Sequence, residues 1–170
     1  MTRRTKQPDD PFERLFMSEY GKVVAIAHRV LADRAEAEDV AQEVFLDFHR
    51  RHPADAAYAS GWLHTAAVHT ALNRIRSRKR RERRELAEGQ PATADDDPQQ
   101  VVLVQEERRS VRVALTRLPD KAASVLALRY SGLSYVEVGA ALGVGAGQVG
   151  TLLRRAETAL KKEMTRATPV

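Results

Sequence analysis

The sequence contains no cysteine in its 170 residues, which removes disulfides, thiolate nucleophiles and cysteine-based zinc sites and fits a reducing compartment. Aromatic residues are scarce, at 5% with a single tryptophan. No apolar run approaches the roughly 20 residues needed to cross a bilayer, and the stretch from Met1 to Asp10 is charged, so a cytoplasmic protein is expected. Neither the alternation of a β-strand nor an internal repeat is found along the chain. What is abundant is charge: 30% of residues carry one, with 28 Lys and Arg against 23 Asp and Glu. The length suits one ordinary domain or two small ones, and small domains bury only about 60% of their unfolded surface, so stabilisation by a partner is expected.

Helical signals begin at Asp10-Pro11-Phe12-Glu13, a cap followed by proline at the first helical position. The apolar stripe Phe12, Leu15, Phe16, Tyr20, Val23, Val24, Ala27, Val30 and Leu31 has helical spacing. Asp33 and Glu36 repeat the capping pattern, and Ala37, Val40, Ala41, Val44, Phe45 and Phe48 form a second stripe. After Pro53 and a run of small residues to Gly61, a third helix is marked by Trp62, Leu63, Ala66, Ala67, Leu72 and Ile75 and runs into Arg74 to Arg84. Residues 86–100 carry Asp95-Asp96-Asp97-Pro98 and almost no large apolar residue, so they read as a flexible acidic linker. Periodicity resumes at Val101, breaks at Pro119 and continues through Leu128. The expected architecture is all-α: one small helical domain over 11–85, the linker over 86–100, and a second domain over 101–166.

Ser134 to Arg155 carries the strongest motif. Ser134 and Glu137 form a capping box, Val138 and Leu142 face inward, and Gly143 supplies the positive φ of a tight turn. With small Gly139, Val144 beneath the turn, and Val149, Leu152 and Ala156 behind it, these positions reproduce a helix-turn-helix. Its second helix would lie in the major groove, directing Gln148, Thr151, Arg154 and Arg155 at DNA. Gly145, Gly147 and Gly150 offer no side chain there, which suggests close approach of the backbone to DNA. Arg74, Arg76, Arg78, Lys79, Arg80, Arg81, Arg83 and Arg84 extend the third helix, either as a polyanion-binding face or as a solvated helix end. Upstream Trp62, on its own a core candidate, joins His64, His69 and Asn73 in a set suited to single-stranded bases. Glu36, Glu38, Asp39, Gln42, Glu43 and Asp47 give the second helix the opposite sign, either a solvated face or a docking surface for a basic protein.

Taken together, the chain resembles the extracytoplasmic-function (ECF) group of bacterial sigma factors in the sigma-70 family. The likeness rests on Ala37-Glu38-Asp39-Val40-Ala41-Gln42-Glu43-Val44-Phe45, on Trp62-Leu63, and on the stretch from Leu118-Pro119 to Leu160. Within the last, Leu128-Arg129-Tyr130-Ser131-Gly132-Leu133-Ser134-Tyr135 with Glu137 is the most specific run. The resemblance implies that Asp39, Gln42, Glu43 and Asp47 bind the clamp of the RNA polymerase largest catalytic subunit. It implies that the loop before Trp62 and the third helix, with Trp62, His69, Asn73, Arg76 and Arg80, capture the melted minus-ten strand. Arg129, Ser134, Gln148, Thr151, Arg154 and Arg155 would meet the minus-thirty-five duplex, and the flap of the second-largest subunit would hold the second domain. The linker would thread into the polymerase as a nucleic-acid mimic, and an anti-sigma protein is a further implied partner. No cofactor, metal or catalytic group is expected. The chain departs from the family where Val68-His69 replaces a common Arg-Asn pair and Gly150 a common basic residue.

Two other readings compete. A stand-alone dimeric helix-turn-helix regulator leaves the acidic and basic helices unexplained. A metal-dependent nuclease would use His49, His52 and Asp47, beside which Arg50 and Arg51 disfavour a cation.

Overall fold

The carboxylate of Asp10 accepts the Phe12 amide at 3.0 Å and Pro11 opens the first turn, so helix α1 runs Pro11–Leu31. Ala32 closes it in the left-handed region at φ 55°, with its N–H on the His28 carbonyl. Asp33 restarts the chain by accepting the Glu36 amide at 2.9 Å, giving α2, Arg34–Arg51. The computed structural model describes residues 10–89 and 102–167, and the remaining elements are α3, Ala59–Ala87, α4, Val102–Arg117, α5, Asp120–Tyr130, α6, Tyr135–Leu142, and α7, Ala146–Ala167. The seven helices among the described residues fall where periodicity placed helical segments, and those residues contain no strand.

Helices α1 to α3 form a three-helix unit around Val23, Ile26, Val30, Val40, Phe48, Leu63, Val68 and Leu72, each at most 1% exposed. Helices α4 to α7 surround Ala114, Val125, Leu128, Val138 and Val149, also at most 1% exposed. Leu118-Pro119 breaks the chain between α4 and α5 because proline cannot supply the amide that a continuing helix needs. Phe16, read as part of the inward stripe of α1, is 37% exposed; its ring packs at the edge of the core against Tyr20 and Phe45, with centroids 4.8 and 4.9 Å away.

Helix α3 begins at Ala59, before Trp62, and continues through Leu86 and Ala87, inside the segment read as linker. Its start carries no side-chain cap, Tyr58 standing at the cap position, so no local signal marks it. At the other end arginine and glutamate are good helix formers, and they keep the helix going until Glu88 and Gly89, the latter at φ 76°. The linker from residue 90 to 100, with its acidic run, lies outside the described residues.

The two helical units pack against each other, which nothing in the sequence announced. Helix α3 meets α4, α5 and α6, and α1 meets α5. Lys22 Nζ lies 3.2 Å from Glu137 Oε1, the Thr65 hydroxyl donates to the Ala141 carbonyl at 2.9 Å, and Arg76 donates to the Thr116 carbonyl at 3.2 Å and to Asp120 at 3.0 Å. His69 Nε2 stands 3.4 Å from the hydroxyl of fully buried Ser124.

Candidate functional site

Helix α2 buries Ala37, Val40, Ala41, Val44, Phe45 and Phe48 and thereby turns its other face outward. Asp39, Gln42 and Glu43 are exposed, and Leu46, one turn further, is 49% exposed among them. An apolar side chain at the centre of a polar rim is the composition of a docking patch, which the charge pattern alone did not reveal. Glu43 is tied to Arg74 at 2.9 Å and Asp47 to Arg51 at 2.8 Å, while Glu36 pairs with Arg78. The acidic helix therefore neutralises part of the basic α3 beside it. Such half-exposed pairs contribute about 0–1 kcal/mol each, so they orient the side chains more than they stabilise the fold.

The loop between α2 and α3 holds an aromatic group. His52 stacks on Phe48 at 5.2 Å and meets Trp62 at a tilt with centroids 4.8 Å apart, and its Nδ1 lies 3.2 Å from the Tyr58 hydroxyl. His52, a ligand in the nuclease reading, is thus an aromatic packing partner. Trp62 is half-buried, with one side on Phe48, and Tyr58 is 52% exposed, so the loop presents flat apolar surface at the head of α3. Along α3, Asn73 and Arg80 are exposed and the Arg80 guanidinium donates to the neighbouring Ser77 hydroxyl at 3.1 Å, whereas His69 and Arg76 are held against the second unit.

His64 does not belong to this surface. It is 2% exposed and pairs with buried Glu19 at 2.7 Å, whose other oxygen accepts the Ser60 hydroxyl at 3.1 Å. A histidine inside a helical core needs such a partner, and this one comes from α1.

The arginine-rich end of α3 runs beside α4. Lys79 is pushed below the ordinary lysine range by burial first, then by the charges of Arg117, Arg83 and Arg109, with Glu82 acting the other way. Arg112 is depressed likewise, by burial and by Arg109, Arg108 and Arg78. Cations crowded from two helices favour the approach of a polyanion.

In the second unit the capping box forms in full: the Ser134 hydroxyl accepts the Glu137 amide at 3.2 Å and Glu137 accepts the Ser134 amide at 2.7 Å. That bond, with Lys22 adding to it, holds the Glu137 carboxyl below the usual carboxylate range. Gly143 turns the chain at φ 69°, and Val144 returns its N–H to the Gly139 carbonyl at 2.9 Å. Helix α7 buries Val149 and Ala156 and exposes Gln148, Thr151, Arg154 and Arg155 on one continuous side. Ser134 is exposed but engaged as a cap, and Arg129 is half-buried, donating to the Leu133 carbonyl at 3.2 Å. Gly145 and Gly147 face open space. Gly150 does not: a Cβ there would lie 3.6 Å from the ring of Tyr135, a residue that the reading of the recognition helix left out.

The comparisons with known proteins agree with this geometry. Residues 15–81 match the family model described as Sigma-70 region 2, and residues 108–160 match Sigma-70, region 4. The chain is 30% identical over 166 residues to RNA polymerase sigma-H factor of Pseudomonas aeruginosa, covering 90% of this chain and 86% of that protein. It is 31% identical over 163 residues to RNA polymerase sigma factor YlaC of Bacillus subtilis, covering 93% and 94%, and 28% identical to the ECF RNA polymerase sigma factor SigW of the same organism, covering 84% and 83%. Its fold is similar to that of a chain in the co-crystal structure of the sigma factor RpoE with the anti-sigma factor NepR from Bartonella quintana, with TM-score 0.51 and 19% identity over 92% of this chain and 98% of that one. With both regions matched in order around a helix-turn-helix, the chain belongs to the ECF group of the sigma-70 family.

Proposed function

We propose that this chain directs bacterial core RNA polymerase to a particular set of promoters and nucleates opening of the DNA there. The observation that carries the reading is the presence, in one chain and in order, of region 2 over residues 15–81 and region 4 over residues 108–160. The face of α2 formed by Asp39, Gln42, Glu43, Leu46 and Asp47 docks on the clamp of the largest catalytic subunit, with Leu46 as apolar anchor. The second unit docks on the flap of the second-largest subunit while Gln148, Thr151, Arg154 and Arg155 meet the minus-thirty-five duplex, with Arg129 and Ser134 behind them. The aromatic loop and Trp62, followed by Asn73, Arg80 and, once released from the second unit, His69 and Arg76, receive the minus-ten strand.

Energetics assign the labour. Opening DNA costs about 1.4 kcal/mol per base-pair step, whereas stacking returns about 1–3 kcal/mol per captured base, so a small domain nucleates a bubble that polymerase must sustain. The chain then contributes binding and positioning, with no chemistry on a substrate and no cofactor, and works where the polymerase is, in the cytoplasm. An anti-sigma protein covering these surfaces is the expected antagonist.

In vitro transcription with core polymerase on a genomic promoter library tests the reading. Discrete promoter-specific transcripts that require the chain are expected; no transcripts together with no co-migration with core overturn it. Leu46→Arg is expected to weaken core binding at least tenfold, the scale of losing an interface anchor, while circular dichroism stays native. Unchanged affinity would move the docking surface elsewhere.

A further inference from the structure

Position 150 lies on the outward half of α7 beside Thr151 and Arg154, where a recognition helix ordinarily presents a side chain to DNA, yet it is a glycine. The space is occupied from another helix. Tyr135, the first residue of α6, lays its ring over Gly150, with Cε2 at 3.6 Å and the hydroxyl at 4.0 Å from where a Cβ would be. A Cβ there would already touch that ring, and a bulky side chain would compete with it for the same space. The Arg129 guanidinium stands 5.4 Å from the ring centroid, and it is itself fixed by its bond to the Leu133 carbonyl at 3.2 Å. The tyrosine is thus held between a cation and a bare helix backbone, and it remains 42% exposed.

An aromatic ring so held is expensive to explain as core, because it buries too little, and a mid-helix glycine weakens α7 without any close backbone neighbour to require it. We propose that Tyr135 serves as the recognition side chain that position 150 lacks, and that its apolar edge reads a thymine methyl in the minus-thirty-five major groove. Arg129 acts through it as a positioning residue. This rests on the initiation reading above, and it names one determinant of promoter choice.

The test selects duplexes randomised across the minus-thirty-five element with holoenzyme reconstituted from core and the full chain. The native chain is expected to enrich thymine at a position where Tyr135→Ala loses the preference about tenfold, the scale of one base contact, while preferences elsewhere persist. Tyr135→Phe restores the preference, since it keeps the ring, and Gly150→Leu loses it at the same position by pushing the ring away. Replacing that thymine by deoxyuridine, which removes only the methyl, weakens binding by the native chain severalfold and leaves Tyr135→Ala indifferent. Val136→Ala, one residue on and 70% exposed, selects the native motif. The same motif from Tyr135→Ala as from the native chain, or a loss spread evenly over all positions, overturns the assignment. Transcription without any minus-thirty-five preference in the native chain overturns it too, whereas failure of the native chain to support transcription defeats the initiation reading itself.

Discussion

Gly139 and Gly150 stand one helix apart in the same motif and answer to opposite requirements. A Cβ on Gly139 would lie 2.7 Å from the Val144 carbonyl, backbone against backbone, so Gly139→Ala is expected to cost about 1–3 kcal/mol by overpacking. Gly150→Ala meets only an ordinary contact and is expected to stabilise the fold by about 1 kcal/mol. Urea denaturation of both variants checks the opposite signs. Glu137 adds a pH dependence: its carboxyl is held below its ordinary 4.5, so its contribution is fully present above that value and is lost as pH falls through the lower folded value. Glu137→Gln should therefore be less stable than the native chain near neutrality, with the gap closing in acid; a gap independent of pH would exclude the charge as its cause. The capping box and the Gly143 turn were readable from residue types at fixed spacing, because both are local. The role of Gly150 was not, since the ring that fills its place comes from a different helix and no spacing rule links positions 135 and 150.

Among the elements, the helices with strong one-sided apolar stripes were readable in the sequence, and the start of α3 was not, for want of a capping side chain. The outward side of α2 is half readable: polar and acidic residues mark Asp39, Gln42 and Glu43, but Leu46 looks like any apolar residue until its exposure is known. His64 was misassigned for the complementary reason, its partner Glu19 lying 45 residues upstream. The crowding of cations between α3 and α4 depended on tertiary packing as well. Because burial and neighbouring arginines disfavour the charged form of Lys79, Lys79→Met is expected to raise the melting temperature near neutral pH, while weakening nucleic-acid binding. A lowered melting temperature would mean that the ammonium is paired rather than crowded.

At the scale of the whole molecule, the two units share a boundary built from groups far apart in the chain, Lys22 and Glu137 being 115 residues apart. Composition and periodicity describe each unit alone and are blind to such pairing. The native chain should melt in one calorimetric transition, and Lys22→Glu, which sets two carboxylates against each other, should broaden or split that transition and enlarge the radius of gyration in small-angle scattering; identical profiles would show that the ion pair is dispensable. His69 and Arg76 face Ser124 and Asp120 across this boundary, so under the proposed function a promoter strand would have to compete with the second unit for those side chains. At Gly61 the boundary is backbone against backbone: a Cβ there would sit 3.2 Å from both the Ala140 carbonyl oxygen and the Ala141 Cα, closer than an ordinary contact. One methyl group there would act as a shim a few tenths of an ångström thick, so a single exchange at the head of α3 would loosen the seam where the two halves meet.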